Sequence, residues 1–187
     1  MCDREFSVKV CQADKSNFDL SSLDRFDRYQ LVRFVYRPEN GRLVLKEQPF
    51  TEFWSPERKR EKAGEILSGR YVTFCAFDGE KVVGEIMLLP ELNAGRLIID
   101  SFHVSREYRR HGVGRRLFEA AAGYARLRGA EALYASCCFA EETIRFYSAM
   151  GFVPSARPIP SFAEAEPCDI QMECKLPCPE TPGPAEG

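Results

Sequence analysis

The spacing of apolar and polar residues changes period several times along the chain, and each change marks an element. Residues Tyr29 to Tyr36 alternate as a half-buried strand does; "RPENGR" then supplies turn residues, and Leu43 to Leu45 return as a partner. Ser55 and Pro56 are the residue types of a helix N-cap and first position, and Gly69 follows the end of that helix. "YVTFCAF", the turn "DGEK" and "VVGEIMLL" predict a β-hairpin, "PELNAG" turns the chain again, and "RLIIDSFHV" predicts the next strand. The period then becomes helical. Leu117, Ala121, Tyr124 and Ala125 share one face of a helix ending near Arg128, while Arg115, Arg116, Glu119 and Arg126 are left to water. "ALYAS" reads as a short strand, "AEETIRFYSAM" as a helix closed by Gly151, and "IQMECKL" as a last strand. No internal repeat is visible. The reading gives one domain over residues 1–178, followed by a disordered tail (179–187), because "PCPETPGPAEG" is too rich in Pro and Gly to pack.

Composition narrows the class without naming a function. With 187 residues, 44% apolar and 29% charged, the chain is long enough for a sizeable core and has the balance of a soluble globular protein. A net charge of -2 gives no general attraction to nucleic acid, so basic residues matter only where they cluster. No apolar run reaches the length of a membrane span, and "MCDREFSVKV" has no signal-peptide core, so a cytoplasmic protein is expected. The eight cysteines (Cys2, Cys11, Cys75, Cys137, Cys138, Cys168, Cys174, Cys178) form neither an even disulfide framework nor zinc-spaced pairs. Only His103 and His111 are available to complete a metal site, and none is expected.

The basic residues do cluster once, in "SREYRRHGVGRR" between the strand and the long helix. A glycine-rich turn entering a helix exposes backbone N–H groups at the positive end of the helix dipole, and arginines can grip the oxygens of an anion there. That is a phosphate site. It is not a P-loop, because Gly114 is followed by Arg115-Arg116 rather than Lys-Ser/Thr. Nor is it a dinucleotide fingerprint, which needs a third small residue where Leu117 stands.

Arg109-Arg110-His111-Gly112-Val113-Gly114 resembles the Arg/Gln-x-x-Gly-x-Gly/Ala acyl-CoA motif of the GCN5-related N-acetyltransferases, and it follows "FHV" at the expected interval. "FYSAMGF", Phe146 to Phe152, is similar to that family's Phe-Tyr-x-x-x-Gly-Phe. The resemblance covers about residues 25–176; "SLDRFDRYQLV" and "EPCDIQMECKL" more loosely resemble a bacterial subgroup related to streptothricin acetyltransferases. It implies an α/β fold with a mixed, strongly twisted sheet flanked by helices, in which a splayed strand pair forms the acyl-CoA cleft. It also implies acetyl-CoA as co-substrate, with Phe102, His103 and Val104 along the pantetheine arm. Phe102 and Val104 would pair with that arm through their backbone, and one N–H would polarise the thioester carbonyl. The turn from Arg109 through Arg110, His111, Gly112, Val113 and Gly114 to Arg115 would hold the pyrophosphate, mainly through main-chain N–H groups. Where the family often has Asn, seven residues before the tyrosine, this chain has Ala140, with Thr143 in place of a usual alanine.

The resemblance makes Tyr147 the acid that protonates the departing thiolate; the competing reading is a core aromatic. Asp100 is the candidate base: alternation places it between Ile98 and Phe102 on one otherwise apolar strand face, where burial would raise its pKa. Glu85, on the adjoining strand, is the rival. His103 and His111 also carry chemistry, although a single strand histidine is commonly structural and His111 would act through its backbone. The run "ERKREK" reads as a solvated helix face, and Phe26, Tyr29, Phe34, Tyr36, Phe53 and Trp54 as mostly core, some of them walling an acceptor pocket. An acyl-cysteine route through Cys137 or Cys138 lacks a histidine base nearby in sequence. The expectation is an N-acetyltransferase acting by direct transfer on a small-molecule or peptide amine, with no nucleic-acid or membrane partner. A homodimer stays open, as do antibiotic, polyamine, metabolite and protein amines. The rival reading is a non-catalytic acyl-CoA sensor.

Overall fold

The structure is a computed structural model that describes residues 7–40 and 42–177. The "disordered tail" segment, Cys2, Cys178 and the opening residues Met1 to Phe6 lie outside the described residues. In chain order the elements are β1 (Val8–Gln12), β2 (Tyr29–Glu39), β3 (Arg42–Phe53), α1 (Pro56–Leu67), β4 (Val72–Asp78), β5 (Lys81–Asn93) and β6 (Arg96–Val104). There follow α2 (Val113–Leu127), β7 (Ala132–Cys137), α3 (Glu141–Ala149), β8 (Val153–Pro154), α4 (Pro160–Ala165) and β9 (Ile170–Lys175). Seven strands form one sheet in the order β1-β4-β5-β6-β7-β9-β8, and β2 and β3 form a separate hairpin. Every neighbouring pair in the large sheet is antiparallel except β6 and β7, which are joined by a crossover through α2.

Both faces of the sheet are covered. Val113, Leu117, Ala121, Ala122 and Ala125 of α2 are buried against Val83, Ile86, Leu88, Leu97, Ile99 and Leu133. Burying one such leucine contributes about 1.5–3 kcal/mol, so this stripe fixes the helix to the sheet. On the other face Ala63 and Ile66 of α1 pack with Phe18, Leu23, Phe26, Cys75, Val82 and Met87. The start of α1 is the predicted one: Ser55 Oγ accepts from the Arg58 N–H at 3.2 Å, with Pro56 in the first turn.

Several expectations need correction. The return strand β3 runs from Arg42 to Phe53 rather than Leu43 to Leu45, and β5 continues through "PELN" to Asn93, so the reversal is confined to Ala94 and Gly95. Pro90 survives in β5 because pairing with β6 is irregular between Leu88 and Leu92. Lys62 is not on a solvated face: it is buried, with Nζ 2.6 Å from Glu65 and 3.6 Å from Met87 Sδ. Phe53 is exposed, since nothing described covers that side of the hairpin, whereas Phe26 is fully buried. Strands β1 and β8 and helix α4 have no counterpart in the sequence reading.

One irregularity matters most for the site. Pairing of β5 with β6 matches Leu88 to Ile99 but Met87 to Ser101, so Asp100 is a bulge residue without a partner. Past the bulge the faces exchange. Ile98 packs with Tyr134 and Ile159, while Phe102 packs on the opposite side with the α2 core. Asp100 therefore does not share a face with both Ile98 and Phe102, and it is exposed.

Candidate active site

β6 and β7 pair only from Arg96–Ile99 to Ala132–Ala135. Beyond that point β6 stays with β5 as far as Val104, and β7 stays with β9 through Cys137. The two central strands part, and each keeps a partner on its outer edge alone. The Ser105 N–H donates to the Val83 carbonyl at 2.8 Å, which turns the backbone of residues 103 and 105 toward β5. Alternation then turns the N–H and C=O of Phe102 and Val104 toward the gap. Backbone groups left without a ladder are costly unless something satisfies them, and an extended ligand can do so as an added strand. The Val104 carbonyl already accepts from Arg109 Nε at 3.0 Å. The backbone of His103 is not on this edge.

The basic turn follows directly. Gly112 caps α2 in a left-handed conformation (φ 77), a Cβ there would meet nothing within 4 Å, and no side chain caps the helix. Arg110 is also left-handed (φ 68), which costs a non-glycine residue about 1–2 kcal/mol. Arg110, His111, Arg115 and Arg116 are exposed around this uncapped N-terminus, and no acidic residue stands in its first turn. Such an end attracts an anion. His111 Nδ1 lies 2.8 Å from the Arg109 carbonyl and holds the turn's shape. Arg109 plays a different part from its neighbours: half-buried, it ties the turn to the end of β6 through Val104, and burial, then the nearby Arg28, lower its pKa.

The two sequence motifs meet in space. A Cβ on Gly114 would come within 2.8 Å of the Phe146 ring, so the bare residue lets α3 close on the first turn of α2. Phe102 stands edge-on to Phe146 and Tyr147, with centroids 5.0 and 6.2 Å away. Tyr147 is buried, its ring 5.0 Å from that of Phe152, and its hydroxyl makes no hydrogen bond to a described residue. Burial pushes its pKa well above the usual phenol value, with further contributions from Cys137 and Glu85. The phenol stays protonated across the physiological range. Ala140, the departure from the family's Asn, is fully buried with Val32 and Val35 of the hairpin and forms a bridge to Val35.

Glu85, Ser101 and His103 converge on the other face, below α1. Glu85 is fully buried; Ser101 Oγ donates to its Oε1 at 2.7 Å, and His103 Nδ1 lies 2.7 Å from the same oxygen. Glu85 Oε2 is buried and has no partner among the described residues. The Trp54 ring meets the imidazole edge-on at 4.8 Å and is itself stacked on Phe26 at 5.5 Å. Burial lowers the His103 pKa; the bond to Glu85 opposes that, while Arg28 and Lys62 add to it. Asp100 stands apart, without a hydrogen bond to a described residue; partial desolvation raises its pKa, Lys62 opposes, and Glu65, Glu85 and Glu166 reinforce. Nearby, Asp169 is pushed up to about 6 by burial and by Glu166.

Sequence reading did not find Ser101 or Asp169, since neither stands in a motif. Cys137 and Cys138 both have raised thiol pKa values, chiefly from burial, which opposes a reactive thiolate at either.

The family model described as the acetyltransferase (GNAT) family matches residues 33–152. Among curated proteins, none matches the sequence. A solved nourseothricin acetyltransferase superposes with a TM-score of 0.70 at 20% identity, covering 91% of this chain and 99% of that one. A protein from Bacillus anthracis assigned as a streptothricin acetyltransferase, solved with acetyl coenzyme A, gives 0.69 at 15% identity, with coverages of 91% and 99%. The ribosomal-protein-S18-alanine N-acetyltransferase of Escherichia coli gives 0.56 at 15% identity, with coverages of 90% and 94%. Among the described residues, no helix is long and apolar enough to cross a membrane.

Proposed function

Because the chain belongs to the acetyltransferase (GNAT) family, we propose that it moves an acetyl group from acetyl-CoA to a primary amine by direct transfer. The observation that carries this reading is the adjacency of two features: a strand edge without a ladder at Phe102 and Val104, and the uncapped, arginine-ringed start of α2. An extended acyl-pantetheine arm ending in a pyrophosphate needs both, in that order along the chain. When bound, acetyl-CoA supplies an activated thioester.

The chain's own residues do the rest. The N–H groups of the turn from Arg110 to Arg115 hold the pyrophosphate, with the exposed guanidiniums adding charge. Arg109 fixes the angle between that turn and the strand. A backbone N–H on the inner edge of β6 donates to the thioester carbonyl as negative charge grows there. Tyr147 keeps a proton for the leaving sulfur. Its phenol is a suitable donor because a thiolate whose acid lies near 8.5 leaves with less charge once a neutral O–H stands beside it. The acceptor amine must shed a proton before attack, since an alkylammonium resembles lysine at about 10.4. Asp100, at the open bulge, and Glu85, through the groups bonded to it, border the face from which the amine comes.

The test is direct. Purified protein with acetyl-CoA and a panel of primary amines, read by thiol release, should show amine-dependent turnover. CoA binding without turnover on any amine would instead support a sensor.

A further inference from the structure

Resting on the transfer reading above, we infer that His103 is the catalytic base that takes the amine proton, with Glu85 and Ser101 as its positioning residues. Glu85 is fully buried and cannot meet an amine itself. The His103 side chain keeps 24% of its exposure, and its Nδ1 is turned inward to the carboxylate. The ring's opposite side, which carries Nε2, is the one left to reach the surface. Ser101 Oγ spends its proton on Glu85 Oε1, so the short Nδ1 contact is satisfied when Nδ1 carries the hydrogen and donates to that oxygen. That tautomer leaves the Nε2 lone pair free to accept.

Position agrees with chemistry. His103 lies between Phe102 and Val104, whose backbone groups line the gap, and its side chain projects from the strand face opposite Phe102. Charged groups reach it from each packed element: Glu85 of β5, Lys62 of α1 (paired with Glu65) and Arg28 before β2 (paired with Glu52). Trp54 closes the remaining side. The two cations and burial keep the imidazole neutral and able to accept, and Glu85 stabilises the imidazolium once it forms.

The proton balance closes. The ammonium gives one proton to Nε2, the free amine forms the C–N bond, and the C–S bond breaks with its electron pair going to sulfur. The second nitrogen proton makes up the one Tyr147 donates to that sulfur, and imidazolium returns the first to solvent. One acetyl group moves and one proton is released.

Three measurements test this. In the wild-type protein, kcat against pH should fall on the acid side with a midpoint below about 6.5, the ordinary histidine value. His103→Gln should lower kcat by about 10²–10⁴-fold with CoA affinity unchanged, and added imidazole should partly restore turnover in His103→Ala, which a packing role would not allow. Glu85→Gln should move the acid-side midpoint to lower pH, because the partner that raises the His103 pKa is lost. The same shift should appear without substrate in the imidazole NMR titration, which is simple to read since the chain has two histidines. Turnover in His103→Gln within about threefold of an active wild type would overturn the inference, as would an acid limb that ignores Glu85→Gln. Wild-type protein with no turnover on any amine would overturn the transfer reading, and this inference with it.

Discussion

Replacing Tyr147 by phenylalanine removes a single hydroxyl from the centre of the site. The ring is buried and packs against Phe152, Phe146 and Phe102 at 5.0, 5.6 and 6.2 Å, contacts that phenylalanine keeps. The hydroxyl has no hydrogen bond to a described residue, so none of the usual cost of about 1 kcal/mol for a lost bond applies. Tm should therefore move by less than about 2 °C, and CoA affinity should hold. The rate is another matter. An ordinary phenol at about 10 lies some 1.5 pKa units above a thiol at about 8.5, and burial lifts Tyr147 further still. Each unit of mismatch costs about 1.36 kcal/mol of driving force for complete transfer, which places the expected loss toward the lower part of the general-acid range, about 10²-fold. The assay is single-turnover thiol release from acetyl-CoA and from a thioester whose thiol has a higher pKa. Tyr147→Phe should slow the second substrate more than the first, because the poorer leaving group depends more on the donated proton. Full activity on both thioesters would show Tyr147 to be a packing aromatic and would refute the reasoning.

Gly112→Val should abolish the thermal stabilisation given by CoA, since it places a β-branched side chain at φ 77 where the pyrophosphate must approach; unchanged CoA affinity would remove the turn from the site. Arg109→Lys should weaken CoA binding less than Arg109→Ala but not restore it, because a lysine can reach the Val104 carbonyl without the planar fork; equal affinities in all three proteins by calorimetry would separate this residue from the site. Asp100→Asn should raise Tm at pH 7. A carboxyl whose folded pKa is raised destabilises the native state when ionised, so the gain should grow between the unfolded value near 3.9 and the raised folded value, and vanish below both. A Tm difference that persists at pH 3 would mean that the substitution acts through packing.

Much of the scaffold was legible because its signals are local. The Ser55-Pro56 start, the "DGEK" turn and the amphipathic stripe of α2 each depend on a few neighbouring residues, and each stands where the pattern puts it. The basic turn was legible for the same reason. The acid–base side was not, because it depends on register. Strict alternation makes Asp100 the inward carboxylate of β6, and a single unpaired residue reverses that. The same reversal explains the layout of the proposed chemistry. The bulge at Asp100 sends Phe102 to the face shared with Phe146 and Tyr147, and turns Ser101 and His103 to the face that holds Glu85. A thioester laid along the Phe102–Val104 edge then has the proposed proton donor on one side of the strand and the proposed proton acceptor on the other. A regular strand that kept Asp100 in the ladder, with no bulge, would instead put residues 101 and 103 on the face of Leu97 and Ile99. Acid and base would no longer flank the same bond.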